Sequence, residues 1–107
     1  MKISTRFFVQ KTKINKMGKC PIKCRITFNK TTKGFSTGLF INPDYWNSKK
    51  QKVLDNTEQS EYLNTQLSLI KTKINQAFLL LQIQENSYSV EDIYRLFKGD
   101  KSARDYN

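Results

Sequence analysis

The chain has 107 residues, 37% of them hydrophobic and 12% aromatic, which is enough for one domain with a modest core and too aromatic for an intrinsically disordered protein. Nineteen lysines and arginines outnumber nine acids, so the formal net charge is +10, and the absence of histidine argues against a metal centre and against histidine-based catalysis. No stretch approaches the roughly 18 apolar residues of a membrane span, and no signal peptide is visible, so we expect an intracellular protein with no membrane partner.

Three strands are predicted in the first part of the chain. Residues 3–11 are β-branched and aromatic, and residues 20–28 alternate apolar and polar side chains with the period of two that a half-buried strand requires. Residues 35–41 are the third predicted strand, after a turn at residues 29–34, and the short connections favour an antiparallel meander. Pro21 lacks an N–H group, so we place it at a strand start or an edge. The side chains expected to face the core are Ile3, Thr5, Phe7, Val9, Cys20, Ile22, Cys24, Ile26, Phe28, Phe35, Thr37, Leu39 and Ile41.

The two cysteines lie on the predicted core face of the second strand. Along a strand, Cys20 and Cys24 would be about 13 Å apart at roughly 3.3 Å per residue, whereas a disulfide requires Cα atoms within about 7 Å. We therefore predict two reduced, buried, structural thiols, which are usually inert in such a position.

The chain is predicted to leave the sheet through a short helical turn. Asn42 can cap this turn with Pro43 at its first position. Trp46 is predicted to be a large core anchor rather than an exposed binding aromatic. Residues 47–56 are polar and are predicted to form a loop.

A long helix is predicted over residues 58–84, with Asn56 or Thr57 as its cap. Its apolar residues recur at steps of three and four, the period of a helix with one buried face. They are Leu63, Leu67, Ile70, Ile74, Ala77, Phe78 and Leu81. Three further apolar side chains widen this face near the C-terminal end of the helix, which suggests a second contact there. They are Leu79, Leu80 and Ile83.

A second, short helix is predicted after a break at residues 86–87. Ser89, with Asp92 three residues later, resembles a capping box, and Tyr88 against Ile93 resembles a hydrophobic staple. Both patterns are typical of the first turn of a helix.

These elements predict one domain of the α+β class, a three-stranded antiparallel β-sheet packed on a long C-terminal α-helix, plus one short helix. The domain would span residues 1–99, with the sheet in residues 1–41 and the helices in residues 57–98, and Gly99 would end the short helix. Residues 100–107 are polar and are predicted to be a linker or the cut end of a longer chain. One face of the sheet would lie against the long helix, and the other would meet solvent or a partner.

The charge is concentrated in the half that forms the sheet. Residues 1–54 hold thirteen basic residues and one acid, a net charge of +12, whereas residues 55–107 hold six basic residues and eight acids, a net charge of −2. A surface that is charged only for solubility normally mixes both signs. The asymmetry therefore favours a polyanion-binding surface on a supporting scaffold over a merely solvated sheet face.

The outer face of the sheet is the candidate binding surface for duplex DNA, because a β-ribbon fits the major groove. Arginine can pair with guanine edges, glutamine with adenine, and a threonine methyl group can touch thymine. The side chains expected to point outward from the strands are Arg6, Phe8, Gln10, Lys23, Arg25, Thr27, Ser36 and Phe40. The lysines expected at the hairpin tips are Lys13, Lys16, Lys19, Lys30 and Lys33. Among these, the expected central contacts are Arg6, Lys23, Arg25 and Thr27, and the expected phosphate contacts are Lys19, Lys30, Lys33 and Ser36.

Two other partners stay open beside duplex DNA. Sheets with exposed aromatics, such as Phe8 and Phe40, also stack the bases of single-stranded RNA, although these two side chains fit equally well as cover for a sheet edge. An RNA-recognition motif begins at Lys33-Gly34-Phe35 but is broken by the next three residues. The second alternative is a protein-interaction or oligomerisation domain that uses its charge to bind an acidic partner.

Catalysis by this chain is not expected. The sheet half contains a single acid, Asp44, so no pair of carboxylates can form there for acid–base chemistry. The four glycines are scattered and do not form a phosphate-binding loop. We therefore expect no enzymatic activity, no cofactor and no small-molecule substrate.

Several runs of residues carry a family resemblance. Residues 18–27 (GKCPIKCRIT) resemble the second strand of the arm-type DNA-binding domain of Bacteroidetes tyrosine recombinases, the integrases of phages and transposons. Residues 35–43 (FSTGLFINP) and 45–47 (YWN) are similar to the third strand of that domain and its exit turn. Residues 61–81 and 92–93 are similar to its helical part, so the resemblance covers nearly the whole chain.

The resemblance implies a sheet inserted into the major groove of arm-type sites, which flank the crossover region of recombination. It also implies other recombinase subunits or domains as partners, and a bacterial cytoplasmic protein that associates with the nucleoid when bound. The catalytic domain of the family uses arginine, lysine, histidine and a nucleophilic tyrosine, a set that a chain without histidine cannot hold, so Tyr106 has no expected catalytic role. The chain would then be a piece of a larger recombinase or the product of a truncated gene.

Overall fold

The computed structural model describes residues 2–54, 57–84 and 87–99. Its elements in chain order are β1 (Ile3–Val9), β2 (Cys20–Phe28), β3 (Thr31–Ile41), the short strands β4 (Trp46–Asn47) and β5 (Lys52–Val53), and the helices α1 (Glu58–Ile83) and α2 (Val90–Lys98). Single 3₁₀ turns lie at Lys11–Lys13 and Pro43–Tyr45. The three long strands form one antiparallel sheet in the order β1-β2-β3, which confirms the predicted α+β class.

The alternation in β2 separates a buried face of the sheet from an outer face. Each apolar side chain of the predicted core face of β2 is at most 2% exposed. Helix α1 covers this inner face with the buried side chains of Leu63, Leu67, Ile74, Ala77 and Phe78. Both cysteines are buried and unbonded, as predicted. Burial of the Cys24 thiol raises its pKa to about 12, because a thiolate would lose its hydration there, so this thiol stays protonated and inert at neutral pH.

The turn between β2 and β3 is shorter than predicted. Only Asn29 and Lys30 form it, and their φ angles of 53° and 67° are the left-handed values that a tight two-residue hairpin requires. The predicted turn at residues 29–34 is therefore wrong beyond Lys30, because Thr31 and Thr32 already pair with β2. The polar composition of this stretch indicated a loop, whereas the threonines are good strand formers in a ladder that continues to the tip of the hairpin.

A β-bulge lies in β3 opposite Ile22, where the register shifts between Pro21 and Lys23. Gly38 adopts a φ of 81° there, a conformation that favours glycine. The Thr37 hydroxyl donates a hydrogen bond to the carbonyl of Ile22 at 2.7 Å and accepts one from the amide of Leu39 at 3.1 Å. The threonine side chain thus replaces ladder bonds that the bulge interrupts.

Replacing Gly38 with alanine is expected to lower the free energy of unfolding by about 1 kcal/mol, because alanine is strained at a positive φ. No atom lies within 4 Å of the position that a Cβ would take, so the expected loss is conformational and not steric. Urea denaturation measures it. The matched control is Gly34→Ala in the same strand, whose Cβ would meet only the Cys24 carbonyl oxygen at 3.8 Å, and a change within about 0.5 kcal/mol is expected there. Equal losses in the two variants would contradict this account of the bulge.

The helix termini agree with the sequence. Thr57 caps α1 and Ser89 caps α2, each in a capping box, and Gly99 ends α2 in the left-handed conformation. The Asn42 side chain caps the turn at Pro43–Tyr45 by accepting a hydrogen bond from the amide of Asp44 at 3.0 Å. Of the two caps predicted for the long helix, Asn56 or Thr57, the described residues show Thr57, and the caps Asn42 and Ser89 are as predicted.

Aromatic rings attach the short helix α2 to the sheet. The Tyr88 ring stacks on Phe28 with 5.1 Å between centroids, and Phe35 contacts Tyr94 at 5.1 Å and Phe97 at 5.2 Å. Both helices thereby cover the inner face of the sheet, and no helix of the described residues packs on its outer face.

Residues 47–56 were predicted to be a loop, but the described part of this segment contains β4 and β5, with Trp46 opposite Val53. Trp46 packs half-buried against the core and is not fully enclosed. The apolar side chains that widen the stripe of α1 near its C-terminal end are more than half exposed: Leu79, Leu80 and Ile83. No helix among the described residues is long and apolar enough to cross a membrane.

Some predictions fall outside the described residues. They concern Asn56 as a helix cap, Asn86 as a helix breaker, and residues 100–107 as a linker, including Tyr106.

Candidate nucleic-acid interface

The strand register places the polar side chains of the outer face in cross-strand rows. Arg6 lies opposite Arg25, which lies opposite Gly34. The next row joins Phe8, Lys23 and Ser36, and another joins Ser4, Thr27 and Thr32. The outward residues of the strands predicted to contact DNA are therefore side by side on one surface: Arg6, Phe8, Lys23, Arg25, Thr27 and Ser36. We call this surface the outer face.

Two arginines face each other at the centre of the outer face. Like charges directly opposite on neighbouring strands destabilise a sheet. The pairing of Arg6 with Arg25 therefore lowers the stability of the fold and does not help to form it. Two contacts hold these side chains. The Arg6 Nη2 donates to the Ser48 Oγ at 2.9 Å, and the Arg25 guanidinium carbon lies 4.8 Å from the centroid of the Phe8 ring.

Phe8 therefore makes a cation–π contact with Arg25. The sequence did not decide between a base-stacking role and a role as cover for a sheet edge. Phe8 is half-buried beneath the exposed Arg25. Phe40 is 44% exposed and lies opposite Pro21 at the other end of the sheet. With Tyr45 and Leu63, Phe40 lines a small hollow near the start of α1.

Lys33 does not join the outer face. Because β3 begins at Thr31, Lys33 pairs with Ile26 and points to the inner side of the sheet. Its ammonium lies 3.4 Å from a carboxylate oxygen of Glu91 and 4.8 Å from the ring centroid of Tyr94. Lys33 therefore lies within β3 and not at the hairpin tip, where it was predicted.

The remaining predicted contacts lie at the two ends of the sheet. Lys30 is exposed in the tight turn after β2, and Lys19 is half-buried immediately before β2, so they bracket the central strand. Gln10 follows β1, is half-buried, and donates its backbone N–H to the carbonyl of Pro21 at 3.0 Å. The exposed lysines Lys13 and Lys16 lie in the connection between β1 and β2.

No acid balances the charge of the outer face within the described part of the chain. The ion pairs there join Glu91 to Lys33 and to Arg95, both away from this surface. The described residues also contain no cluster of potential metal ligands. The arginines and lysines of this surface are thus suited to binding a polyanion.

Three lysines outside the predicted set of contacts lie in the segment that packs against the edge of β1. They are Lys49, Lys50 and Lys52, all exposed, and Lys50 and Lys52 line a groove between β1 and α1. The available signal was composition, since residues 47–54 contain three lysines and no acid. Their position next to β1 depends on tertiary contacts that no local pattern shows.

A family model described as the arm DNA-binding domain matches residues 7–94, from β1 through α1 into α2. The chain belongs to the arm DNA-binding domain family. Arm DNA-binding domains are non-catalytic modules that bind DNA in integrase-type recombination. Searches of curated proteins and of solved structures found no match to the chain. The matched range includes the three outward residues of β2 that were predicted to contact DNA, namely Lys23, Arg25 and Thr27.

Proposed function

We propose that the outer face enters the major groove of duplex DNA at arm-type sites of a tyrosine recombinase from a Bacteroidetes phage or transposon. The observation that carries this proposal is the cluster of Arg6, Arg25 and Lys23, which lie on two neighbouring cross-strand rows of the outer face and form no ion pair with another described residue. Two interstrand spacings make a three-stranded sheet about 10 Å across, and the major groove is about 12 Å wide. The sheet can thus lie in the groove with its edges near the phosphates.

Individual roles follow from position. Arg25, Arg6, Lys23 and Thr27 lie at the centre of the face, where they would reach base edges. Lys30 and Lys19 lie at its ends, where they would meet phosphates, and Ser36 would do so from β3. Gln10 stays a candidate contact at the end of β1, and Phe8 would orient the guanidinium of Arg25. Lys33 is left out because it faces α2.

In the parent protein this domain would tether the recombinase to its arm sites and help assemble the synaptic complex with other subunits. Strand cleavage would belong to a separate catalytic domain. The exposed apolar side chains at the end of α1 would be available for a neighbouring domain or subunit. The complex would form in the bacterial cytoplasm, at the nucleoid, without a cofactor.

A competition experiment tests this function. Fluorescence anisotropy would follow the 107-residue chain binding a labelled DNA duplex, with unlabelled duplex or single-stranded RNA of the same length as competitor. We expect the duplex to compete better, because a sheet inserted in the major groove needs the B-form duplex. Better competition by RNA would support an RNA-binding module. Absence of binding to both, together with a stable oligomer in sedimentation, would support a protein-interaction domain.

A further inference from the structure

A basic loop lies against the free edge of β1. It comprises Ser48, Lys49, Lys50 and Gln51, which join β4 to β5, and Lys52, the first residue of β5, and we call it the 48–52 loop. All three of its lysines are exposed. The loop packs beside the first strand of the sheet, which is far from it in sequence.

The side chain of Gln51 attaches the loop to β1. Its Oε1 accepts a hydrogen bond from the backbone amide of Phe7 at 2.7 Å, and its Nε2 donates to the carbonyl of Phe7 at 3.0 Å. The same nitrogen donates to the carbonyl of Ser48 at 2.8 Å, which closes the loop on itself. The amide thus replaces a neighbouring strand and covers an edge that would otherwise present unpaired backbone groups.

Two further contacts fix the position of the loop. At its end, the Asn64 side chain from α1 accepts from the amide of Val53 at 2.8 Å and donates to its carbonyl at 3.1 Å. At its start, Ser48 receives the hydrogen bond from Arg6, a residue of the outer face. The loop therefore has a defined position relative to both the sheet and the long helix.

The loop carries positive charge and no negative charge. Lys50 and Lys52 line a groove between β1 and α1, and Lys71 contributes a third ammonium from the helix. None of these lysines forms an ion pair with another described residue. Positive side chains held without a carboxylate partner on a fixed backbone are suited to binding phosphodiester groups.

We propose that the 48–52 loop is a phosphate-binding clamp for the DNA strand that borders the major groove on the β1 side. This inference rests on the proposed insertion of the outer face in that groove. With the sheet in the groove, the β1 edge faces one wall of phosphates, and the loop is the part of the protein packed outside that edge. Its contacts set the position of the sheet and carry no sequence preference.

The test compares two double variants that remove the same charge. In Lys49→Gln/Lys50→Gln the loop loses two exposed ammonium groups, and in Lys33→Gln/Lys98→Gln two are lost near Tyr94, on the side of α2. Binding to a random-sequence DNA duplex is measured by anisotropy across a salt series. The loop variant is expected to flatten the log–log salt slope by about 1.8, since each lost phosphate contact removes about 0.9. The control variant is expected to keep the slope of the unmodified chain.

The outcomes test the clamp and the proposed function of the outer face separately. A flatter slope for the loop variant alone supports the clamp. If the unmodified chain binds duplex and both variants keep its slope, the clamp is overturned while the outer face stands. Equal flattening in both variants also overturns the clamp, because net charge would then account for the effect. If the unmodified chain binds no duplex, the proposed function fails, and the clamp fails with it.

Discussion

Raising the salt concentration from about 50 mM to about 200 mM is expected to weaken binding to duplex DNA about a thousandfold. Neutralising about six phosphates releases condensed counterions and gives a log–log slope near −5. The expected number of contacts is consistent with the exposed positive side chains on and beside the outer face, which have no described acid beside them. Anisotropy titrations at several salt concentrations give the slope directly.

The control for this prediction is a second salt with a different anion. Titrations in potassium glutamate and in potassium chloride separate the release of DNA counterions from specific binding of chloride to the protein, because only the second depends on the anion. A slope shallower than about −2 would mean that at most two phosphates are neutralised. Such a result would contradict a sheet inserted in the groove with phosphates on both sides.

The fold was largely predictable because its local signals agree with its tertiary structure. Strand β2 alternates between buried and more exposed side chains from Ile22 to Phe28, while both helices begin at residues whose side chains cap them. The exact residues of the turn between β2 and β3 could not be predicted. Residues 31–33 are polar, and strand pairing with β2 outweighs their composition. The bulge at Gly38 was not predicted, although a glycine inside a strand often marks a bulge.

The candidate site was predictable only where alternation decides which way a side chain points. Lys23, Arg25 and Thr27 lie on a strand whose bounds were correct, so they point outward as expected. The predicted third strand began at residue 35, whereas β3 begins at Thr31. Because of this difference Lys33 was expected at a hairpin tip but lies within the strand and pairs with Glu91. The 48–52 loop could not be placed, because its position depends on the side chain of Gln51 meeting the backbone of a strand about forty residues earlier.

Replacing Arg25 with alanine is expected to weaken binding to the preferred duplex by about 1–3 kcal/mol, or roughly fivefold to 150-fold, and to relax the preference at one base pair. A guanidinium can donate two hydrogen bonds to the edge of a guanine, and the Phe8 ring 4.8 Å away holds it above the sheet. Because the side chain is exposed, the variant is expected to keep its stability. Selection from a randomised duplex pool supplies the preferred sequence, and anisotropy compares it with a random one.

Two variants isolate the contribution of Arg25 to sequence preference. Lys30→Ala, at the exposed hairpin tip, is expected to weaken binding to the preferred and random duplexes alike, since a phosphate contact carries no sequence information. Arg25→Lys keeps the charge but loses the planar pair of donors, so it is expected to keep random-duplex binding and to lose most of the preference. If Arg25→Ala weakens both duplexes equally, Arg25 contacts a phosphate, and the base-specific contact must be sought at Arg6 or Lys23, its neighbours on the outer face.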